Sequence, residues 1–133
     1  MIVVDTNVIA YLFLAGEHTA QAKVALRKDS NWAAPLLWRS EFRNILAFYL
    51  RQGVLALTQA LQLMQEAELL MQGGEYEVAS SLVLSLTANS HCSAYDCEFI
   101  ALAQELGVPL ITSDAKILNE FPSISTSLDE YAS

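Results

Sequence analysis

Two very short apolar runs, each followed closely by an aspartate and set at opposite ends of the sequence, limit this chain more than any other feature. Ile2, Val3 and Val4 lead into Asp5, and Val108 to Thr112 leads to Asp114. Runs this short and this apolar suit strands buried on both faces. The sequence between them is mostly helix-patterned, and strands separated by helices imply a mainly parallel sheet covered on both sides. Ligands of such sheets bind beyond the carboxyl ends of the strands, which is where Asp5 and Asp114 fall.

The remaining elements follow from local signals. A helix is expected from Thr6 to about Leu14 and a polar one from about Glu17 to Lys28. Asn31 to Ala34 reads as a strand. Pro35 is placed in the first turn of a helix that runs to Gln52 and stops at Gly53. Thr58 is read as the cap of a helix ending at Gln72, before Gly73. Tyr76 to Ala79 is a strand candidate, and residues 80 to 90 are helical by composition. Ser93 starts a helix that stops at Gly107. Asp114 to Phe121 reads as a last helix, with a weak strand near Ile124 to Thr126.

Four acids stand out. Asp5, Asp96 and Asp114 each have a structural explanation, because all three sit where a helix begins and where a carboxylate caps N–H groups or meets the helix dipole. Glu41 has no such excuse. It lies about six residues beyond Pro35, too deep for a cap. Helical spacing puts it on one stripe with Leu37, Trp38, Ile45 and Phe48, while Arg39 and Arg43 project elsewhere. A carboxylate on an apolar stripe is expensive unless it is paired or holds a cation. Asp96 shares its side of a helix with Phe99, Ile100 and Ala103. Together the four acids predict a metal site, and all-oxygen ligation points to Mg²⁺ or Mn²⁺ rather than zinc or copper.

Composition narrows the field. At 133 residues, 53% hydrophobic and 17% charged, the sequence describes one domain, residues 1–133, with a substantial core. The longest apolar stretch, Val8 to Ala15, falls far short of the roughly 20 residues of a membrane span. No signal peptide pattern is present. Cys92 and Cys97 match no zinc spacing and read as reduced, buried thiols of a cytoplasmic protein. His18 and His91 lack ligand spacing, and neither a GxxxxGK[ST] loop nor a GxGxxG fingerprint occurs. Net charge is −8 with seven basic residues, which argues against a protein that coats nucleic acid. A cluster of acids loaded with divalent cations can still attract phosphate.

Four blocks carry a family resemblance. Ile2-Val3-Val4-Asp5-Thr6-Asn7-Val8, Ser40-Glu41-Phe42-Arg43-Asn44, Ser93-Ala94-Tyr95-Asp96 and Leu110-Ile111-Thr112-Ser113-Asp114 resemble, in order, the PIN-domain ribonucleases, and among them the VapC-type toxins of toxin–antitoxin pairs. Residues 53 to 91 carry little motif information. The resemblance implies a three-layer α/β/α sandwich and a pocket with one or two Mg²⁺ or Mn²⁺ ions held by Asp5, Glu41, Asp96 and Asp114. Thr6, Asn7 and Ser113 map to supporting positions. Cys97 replaces the alanine common beside the third acid. The resemblance further implies hydrolysis of RNA phosphodiesters, a homodimer, and a cognate antitoxin that blocks the pocket with a basic segment. Arg39, Arg43 and Lys116 are the candidate RNA contacts, with Arg51 on the same helix as the first two. Two other readings fit part of the pattern: a catalytically silent PIN-like interaction module, and a receiver- or phosphatase-like Mg²⁺ domain. Glu41 in mid-helix argues against the second, which phosphoaspartate trapping would identify.

Overall fold

The computed structural model describes residues 1–133. Five strands form one sheet, β1 (Ile2–Val4), β2 (Trp32–Pro35), β3 (Glu75–Tyr76), β4 (Leu110–Thr112) and β5 (Ser125–Ser127), in the order β3-β2-β1-β4-β5. All four pairings are parallel, with Val3 beside Ala33 on one side and Leu110 on the other. Eight helices complete the chain: α1 (Thr6–Phe13), α2 (Thr19–Lys28), α3 (Leu37–Arg51), α4 (Leu57–Met71), α5 (Ser80–Ala88), α6 (Ala94–Leu106), α7 (Ala115–Glu120) and α8 (Leu128–Ala132).

The strand order dictates the layers. From β1 the chain steps to β2 and β3 in one direction, then returns past β1 to β4 and β5. Right-handed crossovers therefore place α1 to α4 on one face and α5 to α7 on the other. The packing agrees: α6 lies on β1, β2 and β4 with α5 against it, while α1 packs on α2, α3 and α4. Asp5 and Asp114 follow β1 and β4, the two strands between which the direction reverses. That is the crevice where parallel sheets hold ligands.

The core runs through both layers. Val3, Val4, Leu110 and Ile111 in the strands, Ile9 in α1, Trp38 and Phe42 in α3, and Phe99 and Ile100 in α6 are all sealed from solvent. Burying a side chain of this size contributes about 1.5–3 kcal/mol. α6 has clear limits in the sequence: the Ser93 hydroxyl accepts the Asp96 N–H at 3.1 Å, and Gly107 ends the helix in the left-handed region with φ 66°. At Gly74 a Cβ would stand 2.1 Å from the Trp32 carbonyl oxygen, so only glycine lets β3 approach β2.

Several boundaries differ from the sequence expectation. Pro35 closes β2 and does not open α3. Pairing with β3 uses the N–H groups of Ala34 and Leu36 on either side, so its ring nitrogen withholds no bond from that neighbour. α4 begins at Leu57 with Ala56 as its cap, and Gln59 reaches back to accept the Ala56 N–H at 2.8 Å. Thr58 lies inside the helix. β3 is confined to Glu75–Tyr76, and α8 was not foreseen.

Candidate functional site

Asp5 leaves β1 with its N–H donated to the Ile111 carbonyl at 2.9 Å, which ties the ends of β1 and β4 together. Its side chain is buried, 8% exposed, and caps α1. One carboxylate oxygen accepts the Thr6 N–H at 2.8 Å and the other the Thr112 hydroxyl at 2.7 Å. The Thr112 hydroxyl also accepts the Asp114 N–H at 3.0 Å. Thr112 thus joins two of the acids through one oxygen, and sequence reasoning missed it. Its signal was a hydroxyl among apolar residues at the end of a buried strand, where β-branching alone accounts for a threonine.

Thr6 does for Glu41 what Thr112 does for Asp5. Its hydroxyl donates to Glu41 Oε1 at 2.7 Å, while its backbone serves Asp5. Glu41 is half-buried at the margin of the α3 stripe, whose sealed members are Trp38, Phe42 and Leu46. Phe48, expected on that stripe, is exposed. Asp96 is half-buried in the first turn of α6. Asp114 caps α7, its Oδ1 accepting the Lys116 and Ile117 N–H groups at 2.9 and 3.2 Å. Capping and clustering are both true of Asp5 and Asp114.

The electrostatics show three of the acids within reach of one another. Burial pushes the Asp5 carboxyl up to about 7, over the opposing hydrogen bonds of Thr112 and Thr6, and the charges of Glu41 and Asp96 add to the rise. Glu41 is raised by burial and by Asp96 and Glu98, against the Thr6 hydrogen bond. Asp96 is raised by burial and by Asp114, with Ser93 and Lys116 opposing. None of the four acids forms an ion pair. As the side chains stand, no three Asp, Glu, His or Cys groups converge into a finished metal site. Uncompensated carboxylates repel, and threonine hydroxyls hold Asp5 and Glu41 in place. Glu41 Oε2 and Asp114 Oδ2 accept no hydrogen bond from the protein. The donors are all oxygen, with lone pairs to spare, which fits Mg²⁺ or Mn²⁺.

The remaining expected residues are scattered around this centre. Asn7 follows Thr6 at the start of α1, and its buried Oδ1 has no hydrogen-bond partner. Asn7 also lines a largely apolar cleft of about 430 Å³ with Tyr11, Leu14, Ile45, Tyr49 and Val54. Ser113 is exposed. Arg39 is committed elsewhere: its guanidinium donates to Glu75 at 2.6 and 2.7 Å and meets Glu68 at 2.8 Å. Arg43, Arg51 and Lys116 are exposed. Glu98, two residues beyond Asp96 on α6, is a further half-buried acid, raised by burial, that sequence reasoning did not single out.

A parallel sheet with paired acids at its reversal point defines a class of α/β proteins that work at the carboxyl edge. Within that class the chain belongs to the PIN domain family, which matches residues 2–122. Ribonuclease VapC3 of Pyrobaculum aerophilum is 27% identical over 128 residues, 94% of this chain and 98% of its own. Among solved structures, PAE2754 from Pyrobaculum aerophilum superposes with a TM-score of 0.78 at 18% identity, covering 98% of this chain and 92% of its own. A toxin-antitoxin complex from Klebsiella pneumoniae gives 0.69 at 17% identity, over 96% of this chain and 98% of that one. FitAcB from Neisseria gonorrhoeae gives 0.69 at 17% identity, over 87% and 89%. At such identities the structural likenesses establish the fold. No helix is long and apolar enough to cross a membrane.

Proposed function

We propose that the protein is a Mg²⁺- or Mn²⁺-dependent endoribonuclease, the toxin of a toxin–antitoxin pair. One observation supports the reading: the charges of Glu41 and Asp96 raise Asp5, that of Asp96 raises Glu41, that of Asp114 raises Asp96, and none of the four forms an ion pair. Asp5, Glu41, Asp96 and Asp114 would hold the cation. When bound, it supplies Lewis acidity, easing attack by water and offsetting charge on the phosphate. Thr6 fixes Glu41 and Thr112 fixes Asp5, so that ligands arrive already oriented. Asn7, whose buried Oδ1 has no partner, and Ser113, exposed next to Asp114 in the chain, would be supporting groups. Lys116, in the first turn of α7, and Arg43 are the free cations proposed to meet RNA phosphates.

The kinship with a protein named as a VapC ribonuclease supports RNA as the substrate, and the Klebsiella neighbour supports an antitoxin partner. The acidic balance of the chain suits a basic inhibitory segment. Exposed Phe48, Val54, Leu57 and Leu61, at the end of α3 and the start of α4, are the surface proposed for the antitoxin or a second copy in a homodimer. The deciding experiment is cleavage of cellular RNA by purified protein with Mg²⁺ or Mn²⁺, against EDTA and Asp5→Asn. Cleavage that needs the ion and disappears with Asp5→Asn is expected. RNA left intact with either ion refutes the nuclease.

A further inference from the structure

A second cavity, of about 440 Å³, opens on the same edge of the sheet, between the ends of β2 and β3, the start of α5 and the first half of α6. Leu36, Tyr76, Val78 and Leu84 line it, with Glu98 as its half-buried acid and Glu77 as its exposed one. The volume is within the range of small-ligand pockets. Its position ties it to the acidic centre by two short routes. Leu36 immediately precedes α3, which carries Glu41, and Glu98 lies two residues after Asp96. Glu98 accepts no hydrogen bond and forms no ion pair, although it is half-buried.

The lining selects among the parts of an RNA strand. No lysine or arginine borders the cavity, and Glu77 stands there beside Glu98, so a phosphate is repelled. Apolar walls and a tyrosine suit the flat face of a base, which single-stranded RNA presents when it is splayed from the stack. A carboxylate accepts only, so it pairs best with a base edge that donates twice. Guanine alone offers two neighbouring donors, N1–H and the N2 amino group, on its Watson–Crick edge. We propose that this cavity is a guanine subsite, with Glu98 reading a guanine that flanks the scissile phosphate. The idea rests on the ribonuclease reading for its biological sense, but binding can be measured without catalysis.

The test titrates guanosine, adenosine, cytidine and uridine 5′-monophosphates into the metal-free protein and follows amide shifts by NMR. Guanosine monophosphate should bind at least about tenfold tighter than the others, the scale of one bidentate base contact. The shifts should map to Tyr76, Val78, Leu84 and Glu98. Inosine monophosphate, which keeps N1–H and lacks the amino group, should fall between. Glu98→Gln, which can donate as well as accept, should lose guanine and gain adenine or cytosine. Its amide spectrum and a Leu84→Ala variant, weaker for guanine but unchanged in preference, separate recognition from misfolding. Equal binding of all four nucleotides, shifts elsewhere, or an intact guanine preference in Glu98→Gln would overturn the subsite. So would tighter binding of an arginine-containing peptide in the same cavity, which would make it a protein partner's. Guanine binding with no RNA cleavage would instead refute the nuclease and leave the pocket standing.

Discussion

Replacing Asp5 by Asn should stabilise the metal-free protein above neutral pH and do the opposite in acid. Asp5 is buried, and its carboxyl is raised from 3.8 to about 7. A group whose folded-state value lies above its unfolded one stabilises the fold below the unfolded value, and that contribution is lost as pH rises through the folded one. The window is therefore pH 3.8 to about 7. At about 1.4 kcal/mol per tenfold, ionising Asp5 in place costs at most about 4 kcal/mol. Asparagine escapes that cost. It can still accept the Thr6 N–H, but it must turn an NH₂ toward Thr112 and weaken one hydrogen bond, a loss of about 1 kcal/mol. The net expectation at pH 8 is a gain of about 2–3 kcal/mol, or roughly 8 °C in melting temperature for a chain of this size. At pH 4 the balance reverses to a loss of about 0.5 kcal/mol, since the unfolded chain has already begun to ionise. Urea unfolding of both proteins in EDTA, from pH 4 to 8.5, measures the difference directly. Parallel curves across that range would show that Asp5 carries no electrostatic burden, and the case for a cation site would lose its physical basis. Mg²⁺ or Mn²⁺ should then stabilise the natural protein at pH 8 and leave Asp5→Asn unchanged.

Thr112→Val keeps the shape of the strand but leaves Asp5 Oδ2 and the Asp114 N–H without their shared partner. It should cost about 1–3 kcal/mol by urea unfolding and weaken Mn²⁺ binding by calorimetry. Gly74→Ala should destabilise the fold by about 1–3 kcal/mol, since the new methyl meets the Trp32 carbonyl; a neutral result would mean that β3 is free to move away. Arg39→Ala should lower stability by about 1 kcal/mol and leave RNA affinity unchanged, because its guanidinium is held by Glu68 and Glu75. Lys116→Ala should do the reverse, raising KM at constant melting temperature. An equal effect of the two on KM would return Arg39 to the RNA surface.

What could be read in advance was governed by the strength of local signals. β1 and β4 are apolar runs with no competing explanation, and α6 carries both a serine cap and a left-handed glycine. Glu41 was legible because a deep helical acid among apolar neighbours has few structural excuses. Pro35 was misread because proline suits a helix start and a strand end alike, and only the pairing with β3 decides between them. Phe48 was assigned to a buried stripe that α3 abandons in its last turns, where nothing in the sequence marks the end of the neighbouring layer. Thr112 and Glu98 escaped notice for a different reason. Each acts through a neighbour distant in sequence, and one-dimensional patterns do not report which distant residues meet.

The reversal between β1 and β4 carries a consequence for how the protein comes into being. Asp5 is synthesised well before Thr112, which ends β4, and Asp114 just beyond it, and β4 must slot in beside β1 afterwards. Until that insertion the growing polypeptide holds its acids apart, and no nascent fragment lacking β4 can assemble the complete centre.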